Sequence, residues 1–277
     1  MNKRSTALRK LTAAPHIVWA MLFIIAPLLF VAYYAFTDKT GAFSMVNFAQ
    51  MLDPNYIQVF VRSVSFAIIA TFICFLIAYP LAYFISQMKI STQGMLIMLV
   101  MLPMWMNLLI RTYSMMAILD DGGFFNNMLV SLGFQPVHIV GTSGAVIFGM
   151  VYNFLPYMVL PIHSVISKLD GRLIEAASDL GCNSFRILTR VILPLSVPGI
   201  ISGVTMVFVP SISTFYISQK LGGGTFELIG DTIERQFQNP STYNIGAAIS
   251  LVMMLLILIS LAVMNRFSDS DAGGMIV

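Results

Sequence analysis

The stretch EAASDLGCNSFRILTRVILP, residues 175–194, is a charged, helix-forming segment enclosed by two long apolar stretches. Residues 142–166 precede it and residues 195–217 follow it. Each is long enough to cross a hydrocarbon core about 30 Å thick, which requires about 20 apolar residues per helix. The fold can therefore be read outward from a structured polar loop between two membrane spans.

Four further apolar stretches lie outward from this pair. The six predicted spans are residues 17–36, 64–86, 95–119, 142–166, 195–217 and 243–265. Hydrophobic residues make up 58% of the 277 and charged residues 10%, with a mean hydropathy of +0.86, as expected when lipid solvates most of a chain. The alternating pattern of a membrane β-barrel does not occur. We predict an all-α membrane domain over 15–266, with a loop at 167–194 and flanking segments at 1–14 and 267–277.

Charge asymmetry predicts the orientation of this domain. With six spans the termini share a side, which holds ten of the 15 Lys and Arg residues but five of the 12 Asp and Glu residues. By the positive-inside rule both termini and the loop at 167–194 are cytoplasmic. Lys3, Arg4, Arg9 and Lys10 would also suit a signal peptide, but the apolar core that follows exceeds about 15 residues and no Ala-x-Ala site follows it. We interpret the first stretch as an uncleaved anchor.

Patterns that carry chemistry are few. Cys74 and Cys182 indicate neither a disulfide framework nor a metal site, and a net charge of +3 indicates no nucleic-acid surface. A GxxxxGK[ST] phosphate-binding loop is missing, because the glycine cluster at 222–224 lacks the following Lys. The sequence predicts no catalytic site, metal or cofactor in this chain, so ATP hydrolysis would require a separate subunit.

The loop itself reads as two short helices joined by a turn. Asp170 can cap the first helix, Gly181 fits the left-handed position after it, and Asn183 can cap a second helix that Pro194 ends or redirects. Phe185, Leu188 and Ile192 are predicted to share one face of that second helix. The residues alone leave two functions open: docking of another protein on the flat face made by Ala176 and Ala177, with Glu175 beside it, or an amphipathic linker resting on lipid headgroups.

This pattern resembles the EAA loop of ABC importer permeases, EAA-x3-G-x9-I-x-L-P. The matching positions are Glu175, Ala176, Ala177, Gly181, Val191, Leu193 and Pro194. Val191 stands where the pattern has Ile, which is a conservative change. The resemblance implies that residues 175–194 form the coupling helix that enters a cleft of a cytoplasmic ATPase subunit.

Longer stretches resemble spermidine/putrescine permeases of the PotB type. They are PMWMNLLIRTY (103–113), KLDGRLIEAASDLG (168–181), PGIISG (198–203) and LGGGTFELIGDTI (221–233). The resemblance implies a type I ABC importer permease in the bacterial inner membrane, forming half of a polyamine pore. It also implies three partners: a PotC-type second permease, a PotA-type ATPase dimer that binds ATP and Mg, and a PotD-type extracytoplasmic binding protein, separate or fused.

Other functions remain open. An ABC permease for another small solute, such as sulfate or ferric iron, would share the EAA pattern. An ion-coupled secondary transporter should carry an ionisable residue in mid-membrane; no Asp, Glu or Lys lies centrally in the six spans, Arg111 keeps its proton, and His163 lies near a span end. A purely structural membrane protein would explain the spans but not the loop pattern.

A polyamine pathway should offer aromatic faces, because a ring face attracts a cation with about 0.5 to 2 kcal/mol. The candidates in spans three to five are Trp105, Asn107, Tyr152, Tyr157, Phe215 and Tyr216. Trp105 and Asn107 are favoured, since an indole nitrogen and an amide would lack partners in lipid, whereas helix packing is the alternative for each aromatic residue. Pro156, Pro161 and Pro210 could open these helices toward a cavity.

Acidic residues on the predicted outer side could draw in polycations. They are Asp120, Asp121, Glu227, Asp231 and Glu234, the last three spaced for one helical face. Solvated loop charges and contacts to a receptor explain them equally well. Arg111 would repel a cationic substrate, so we expect it to pair with an acid or a carbonyl and to hold span three in place.

Overall fold

The computed structural model describes residues 15–273, apart from the side chains of residues 265 and 267–273, and most of this range is helical. The predicted basic segment at 1–14 and the last four residues of the predicted tail lie outside the described residues. The helices are α1 (Pro15–Ala35), α2 (Val46–Gln50), α3 (Pro54–Ser86), α4 (Ile90–Met101), α5 (Leu108–Leu119), α6 (Phe124–Ser131), α7 (Ser143–Ile166), α8 (Gly171–Asp179), α9 (Ser184–Leu195), α10 (Val197–Ser213), α11 (Tyr216–Leu221), α12 (Ile229–Gln238) and α13 (Tyr243–Gly273). The backbone of α13 thus stays helical beyond the predicted end of span six.

Four helical stretches in the described range are long and apolar enough to cross a membrane: α1, α3, α7 and Tyr243–Met264 of α13. Two more spans are bent pairs of helices. Ile90–Trp105 meets Leu108–Ser131 at 90°, and Ser184–Leu195 meets Val197–Ser213 at 68°. Six spans result when each bent pair crosses once, in agreement with the predicted number.

Span three is nevertheless not the continuous helix that was predicted over 95–119. Pro103 lacks an N–H and lies in a 3₁₀ turn, Leu102–Trp105, after which Met106 is extended (φ −80°, ψ 145°). Asn107 then starts α5, because its side-chain oxygen accepts a hydrogen bond from the backbone N–H of Leu109 at 2.8 Å. The side chain that was proposed to lack partners in lipid is the cap of a new helix.

Span five, predicted over 195–217, also breaks, at Thr214 and Phe215 between α10 and α11. The three prolines that were singled out, Pro156, Pro161 and Pro210, do not lie at these breaks. Pro156 and Pro161 lie inside the continuous helix α7, and Pro210 lies inside α10. Each of these prolines lacks one N–H for the hydrogen-bond ladder, but the helix continues through it.

By packing, the described part of the chain divides into two units, residues 15–57 with 232–256 and residues 58–231 with 257–273. In the second unit α7 packs along α10 at small residues. A Cβ added to Gly203 would lie 2.7 Å from the Sδ of Met158, and one added to Gly199 would lie 2.8 Å from the carbonyl oxygen of Pro161. Glycine therefore lets the two backbones approach closely, as is usual between membrane helices.

In the first unit, polar side chains hold the helix ends. The Nδ2 of Asn47 donates to the carbonyl oxygens of Ala35 (3.0 Å) and Thr37 (2.8 Å). The loop that follows is fixed by Asp38, which accepts from the hydroxyl of Thr40 at 2.6 Å. This hydrogen bond, with others from the backbone, holds the pKa of Asp38 below its usual value, so Asp38 remains a negative charge in mildly acidic medium.

Candidate functional site

The loop between α7 and α10 begins with a capped helix. Asp170 has an extended backbone, and its Oδ1 accepts a hydrogen bond from the N–H of Arg172 at 3.0 Å. Its carboxylate thereby satisfies one of the amides that a helix start leaves without a partner. The predicted N-cap is confirmed, and α8 starts at Gly171.

The end of α8 is a left-handed turn at Gly181. This residue has a φ of +81°, and its N–H donates to the carbonyl of Ser178 at 2.9 Å, while the N–H of Cys182 donates to that of Ala177 at 3.1 Å. These two bonds form a Schellman motif. A Cβ added to Gly181 would meet no atom within 4 Å, so the backbone conformation, not space, requires glycine. The predicted turn is confirmed.

The second helix differs from the prediction in its register. Asn183 caps it as expected, since its Oδ1 accepts from the N–H of Arg186 at 2.9 Å. A π-helical turn then occupies Leu188–Ile192, and the buried residues are Ile187 and Ile192, five positions apart. The expected face is confirmed at Ile192, which is buried, and at Leu188, which packs against the core, but it is wrong at Phe185, which is exposed. Ile187 takes its place, because a π turn brings residues five positions apart onto one face. The chain then bends by 68° between Leu195 and Val197.

The exposed face of the loop mixes apolar and charged groups. Leu180 and Phe185 are 86% and 71% exposed. Earlier in the loop, Glu175 and Ala176 are also exposed, whereas Ala177 is buried. The flat face therefore differs from the one predicted, because only the first of the two alanines points outward. Of the remaining motif positions, Val191 and Leu193 are half-buried and Pro194 is exposed.

The six candidate pathway residues do not form one cluster in the described structure. Trp105 is 69% exposed in the 3₁₀ turn before the break of span three, and Tyr152, Tyr157 and Phe215 are 36% to 41% exposed. No ring contact among the described residues joins any two of the candidates. Phe154 contacts Tyr157 within α7, with ring centroids 6.3 Å apart, but its own side chain is buried.

Tyr216 does contact another helix, through a group that the sequence reasoning missed. Its ring meets that of Tyr113 at 6.0 Å between centroids, edge to face, and the Nζ of Lys220 lies over both rings. The four-residue spacing of Tyr216 and Lys220 is visible in the sequence. The contribution of Tyr113 from α5 requires knowledge of how the helices pack.

The candidate acidic residues have separate roles. Asp231 is buried, accepting from the hydroxyl of Ser218 at 3.0 Å and from the N–H of Leu228 at 2.8 Å. It therefore caps α12, and the prediction that it forms an open acidic face with Glu227 and Glu234 is wrong in this respect. Both of those side chains are half-buried, and Glu227 precedes the helix.

The other two acidic residues lie in the connection after α5. Asp120 is exposed, and Asp121 pairs with the Nδ1 of His138 at 2.8 Å. Both side chains of that pair remain largely exposed. Asp120 and Asp121 are therefore exposed, whereas Asp231 is not.

Arg111 is buried in α5, with 9% of its surface exposed. Within the described residues its Nε and Nη1 have no hydrogen-bond partner, in contrast to the expected pairing with an acid or a carbonyl. The Oδ1 of Asn153 and the hydroxyl of Ser211 are likewise buried without a hydrogen-bond partner among the described residues. Buried unpaired polar groups are costly, which marks these helices as unlike ordinary lipid-facing spans.

The family described as binding-protein-dependent transport system inner membrane component matches residues 10–270. The chain belongs to this family. It is therefore an inner-membrane transport component that works with a binding protein, and not an enzyme. The predicted fold class and the multi-pass membrane location are confirmed.

Known proteins resemble the chain over nearly its whole length. It is 39% identical to the spermidine/putrescine transport system permease protein PotB of Haemophilus influenzae, with 93% of each chain covered. It is 37% identical to PotB of Escherichia coli K12, covering 90% of this chain and 94% of that one. The crystal structure of a bacterial ABC transporter that imports the acidic polysaccharide alginate superimposes with a TM-score of 0.82 at 19% identity, covering 97% and 96% of the two chains. That likeness concerns the fold alone.

Proposed function

We propose that this chain is the permease subunit of an ATP-driven importer of spermidine and putrescine and forms half of its pore. The names of relatives at 37% and 39% identity support the substrate, and the coupling loop (residues 167–194) supports the energy source. The single observation that carries the proposal is the exposed surface of α8, where Glu175 and Ala176 point outward from a helix fixed by Asp170 and Gly181.

In this proposal the coupling loop and both termini are cytoplasmic. A PotA-type ATPase dimer binds ATP and Mg and receives α8, a PotC-type permease completes the pore, and a PotD-type binding protein delivers the substrate. The exposed Leu180 and Phe185 suit a protein partner, since apolar side chains of this size contribute most of their stabilisation when covered. Because α9 continues through the bend into α10, a displacement of α8 would be passed to a helix that spans the membrane.

The substrate pathway is proposed to run past the broken spans. Trp105 presents an exposed indole beside the break in span three, and Phe215 presents a partly exposed ring at the break in span five. Ring faces attract organic cations without the tight binding of a buried ion pair. Asp120 and Asp121 would add negative charge at the entrance.

Reconstitution of the chain with its companion permease, ATPase and binding protein tests the proposal. ATP-driven uptake of labelled spermidine is expected, and sulfate should neither be carried nor stimulate ATP hydrolysis. Stimulation by sulfate in place of spermidine would overturn the substrate assignment.

Glu175→Arg tests the role of the coupling loop in the same complex. We expect ATP-driven uptake to fall by about tenfold or more, since reversing a charge at a desolvated interface costs several kcal/mol, while the binding protein still binds. Lys168→Glu reverses an exposed charge of the same loop outside α8 and should change uptake little. Coupled uptake that survives Glu175→Arg would contradict docking through this face.

A further inference from the structure

A lysine and two tyrosines form a cation–aromatic cluster at the end of α5 and α11. The Nζ of Lys220 lies 5.2 Å from the ring centroid of Tyr113 and 5.8 Å from that of Tyr216. The two ring planes are inclined by 78°, so they meet edge to face and form two walls around the ammonium group. Both distances are within the range of about 6 Å in which a ring face attracts a cation.

The backbones behind the two tyrosines are held in place by tight packing against Gly149 of α7. A Cβ added to this glycine would lie 2.4 Å from the Cδ1 of Leu221, 2.9 Å from the Cγ2 of Ile217 and 3.3 Å from the Cε of Met115. Ile217 and Leu221 belong to α11 and Met115 belongs to α5. The spacing between the two helices, and hence between the rings, is therefore fixed by side chains that already fill the space.

Among the described side chains the ammonium of Lys220 contacts the rings of Tyr113 and Tyr216 and also interacts with the hydroxyl of Tyr113. No carboxylate in the described part of the chain lies within 4 Å of its Nζ. Tyr113 remains 48% exposed, and Lys220 and Tyr216 are half-buried. An ammonium held by ring faces and open to solvent can leave without stranding a buried counter-charge. The position of Lys220 is thus readily exchanged for another cation.

The lysine side chain is a butylammonium group on a flexible stem of four carbons. Putrescine is a butane chain with an ammonium at each end, and spermidine contains the same aminobutyl unit. Lys220 therefore presents to the two rings the same chemical group as the end of either polyamine. A site that accepts the one has the size and the electrostatic character to accept the other.

We propose that Tyr113 and Tyr216 form a binding site for a primary alkylammonium group, and that Lys220 occupies this site when no substrate is present. The substrate class rests on the proposed function. A polyamine that enters the pathway displaces the ammonium of Lys220 from the rings into water. When the polyamine leaves, the ammonium of Lys220 returns to the rings. Competition from Lys220 lowers the affinity of the site for the polyamine. A low affinity suits a pathway that must release its substrate.

The two rings of Tyr113 and Tyr216 are called the cage below. The gain in substrate affinity expected on removal of Lys220 depends on the fraction of time for which Lys220 occupies this cage. If the lysine holds the cage for about 80 to 90% of the time, the apparent dissociation constant for an alkylammonium is raised by about five- to tenfold, since only the free fraction can bind. Removing the competitor should recover this factor. Removing a ring as well should abolish the gain.

Equilibrium binding of labelled putrescine to the purified permease–ATPase complex, without the binding protein, measures this directly. Lys220→Met should bind about five- to tenfold more tightly than wild type, and Lys220→Arg, which keeps a cation in the cage, should resemble wild type. Tyr113→Leu combined with Lys220→Met should lose the gain, whereas Tyr113→Phe combined with Lys220→Met should keep most of it, because the ring face remains when the hydroxyl is removed. Lys39→Met removes an exposed lysine elsewhere and should have no effect.

An unchanged or weaker affinity in Lys220→Met would overturn the inference, as would a gain that survives Tyr113→Leu. Butylammonium, assayed in the same variants, separates the cage from the transported substrate. If wild type fails to import spermidine but Lys220→Met still gains affinity for butylammonium, the proposed function falls and the cage stands. If wild type imports spermidine but neither putrescine nor butylammonium binds the variants differently, the proposed function is supported and the cage is contradicted.

Discussion

The coupling loop and the cage region (Tyr113, Tyr216 and Lys220) lie at opposite ends of α7 and are built by different kinds of interaction. In the loop, the caps and the turn at Gly181 are fixed by residues a few positions apart, as in the hydrogen bond from the N–H of Arg172 to Asp170. The cage region depends on helices brought together from distant parts of the sequence. A loop specified locally keeps its shape while its partner moves, whereas a site shared between helices changes when those helices move.

The largest effect is expected at Gly181. Gly181→Val places a β-branched residue at a φ of +81°, which costs about 2 kcal/mol or more and should unwind the turn that ends α8. We expect ATP-driven uptake to fall by about tenfold or more. Gly181→Asn, which tolerates the left-handed conformation, should retain most of it.

Gly171→Ala is the matched control for this position. Gly171, like Gly181, has no atom within 4 Å of an added Cβ, but its φ is not positive. Transport that is equally impaired in both variants would show that the conformation of the turn is not what matters.

A smaller loss of uptake is expected when the exposed ring at the break of span three is removed. Trp105→Ala should lower spermidine uptake by about three- to tenfold, the worth of one ring–cation contact, while assembly of the complex stays intact. Trp19→Ala removes the other, similarly exposed indole, in α1, and serves as the control. Normal uptake by Trp105→Ala would remove this residue from the pathway.

The buried carboxylate of Asp231 should matter for stability. Asp231→Ala leaves the hydroxyl of Ser218 and the N–H of Leu228 without this acceptor and should destabilise the folded protein by about 1 to 3 kcal/mol. Thermal unfolding in detergent measures it. Asp120→Ala changes an exposed carboxylate and should be neutral; equal losses would contradict the assignment of Asp231 as a helix cap.

The smallest effect is expected at the N-cap of α8. Asp170→Ala should cost about 1 kcal/mol and reduce uptake slightly, because the Schellman turn still fixes the other end of the helix. Asp170→Asn keeps an acceptor at the same place and should behave as wild type in the uptake assay. A loss at Asp170 larger than that at Gly181 would reverse the order proposed for the two ends of α8.

Local rules account for what the sequence could predict. Asp170, Gly181 and Asn183 were located correctly because caps and left-handed turns depend on neighbouring residues only. The π turn at Leu188–Ile192 was missed, since it is set by how Ile187 and Ile192 pack into the core. Hydropathy predicted the six spans, but it does not detect a break within an apolar stretch, such as those in spans three and five.

The remaining errors have the same cause. The role of Asp231 depends on Ser218, 13 positions away, and the cage depends on the register of α5 against α11. The helix α7 continues through Pro156 and Pro161, whereas Asn107 starts a new helix because its side chain offers a competing hydrogen bond.

Cross-linking from two adjacent alanines tests the docking of the coupling loop most directly. In a Cys182→Ser background, which removes the half-buried native thiol of the same loop, Ala176→Cys and Ala177→Cys carry thiols at an exposed and a buried position of α8. A short thiol cross-linker should join residue 176 to the ATPase subunit, in an ATP-dependent yield, and should not join residue 177. Equal yields at the two positions, or no link from residue 176 in a complex that transports, would contradict the account.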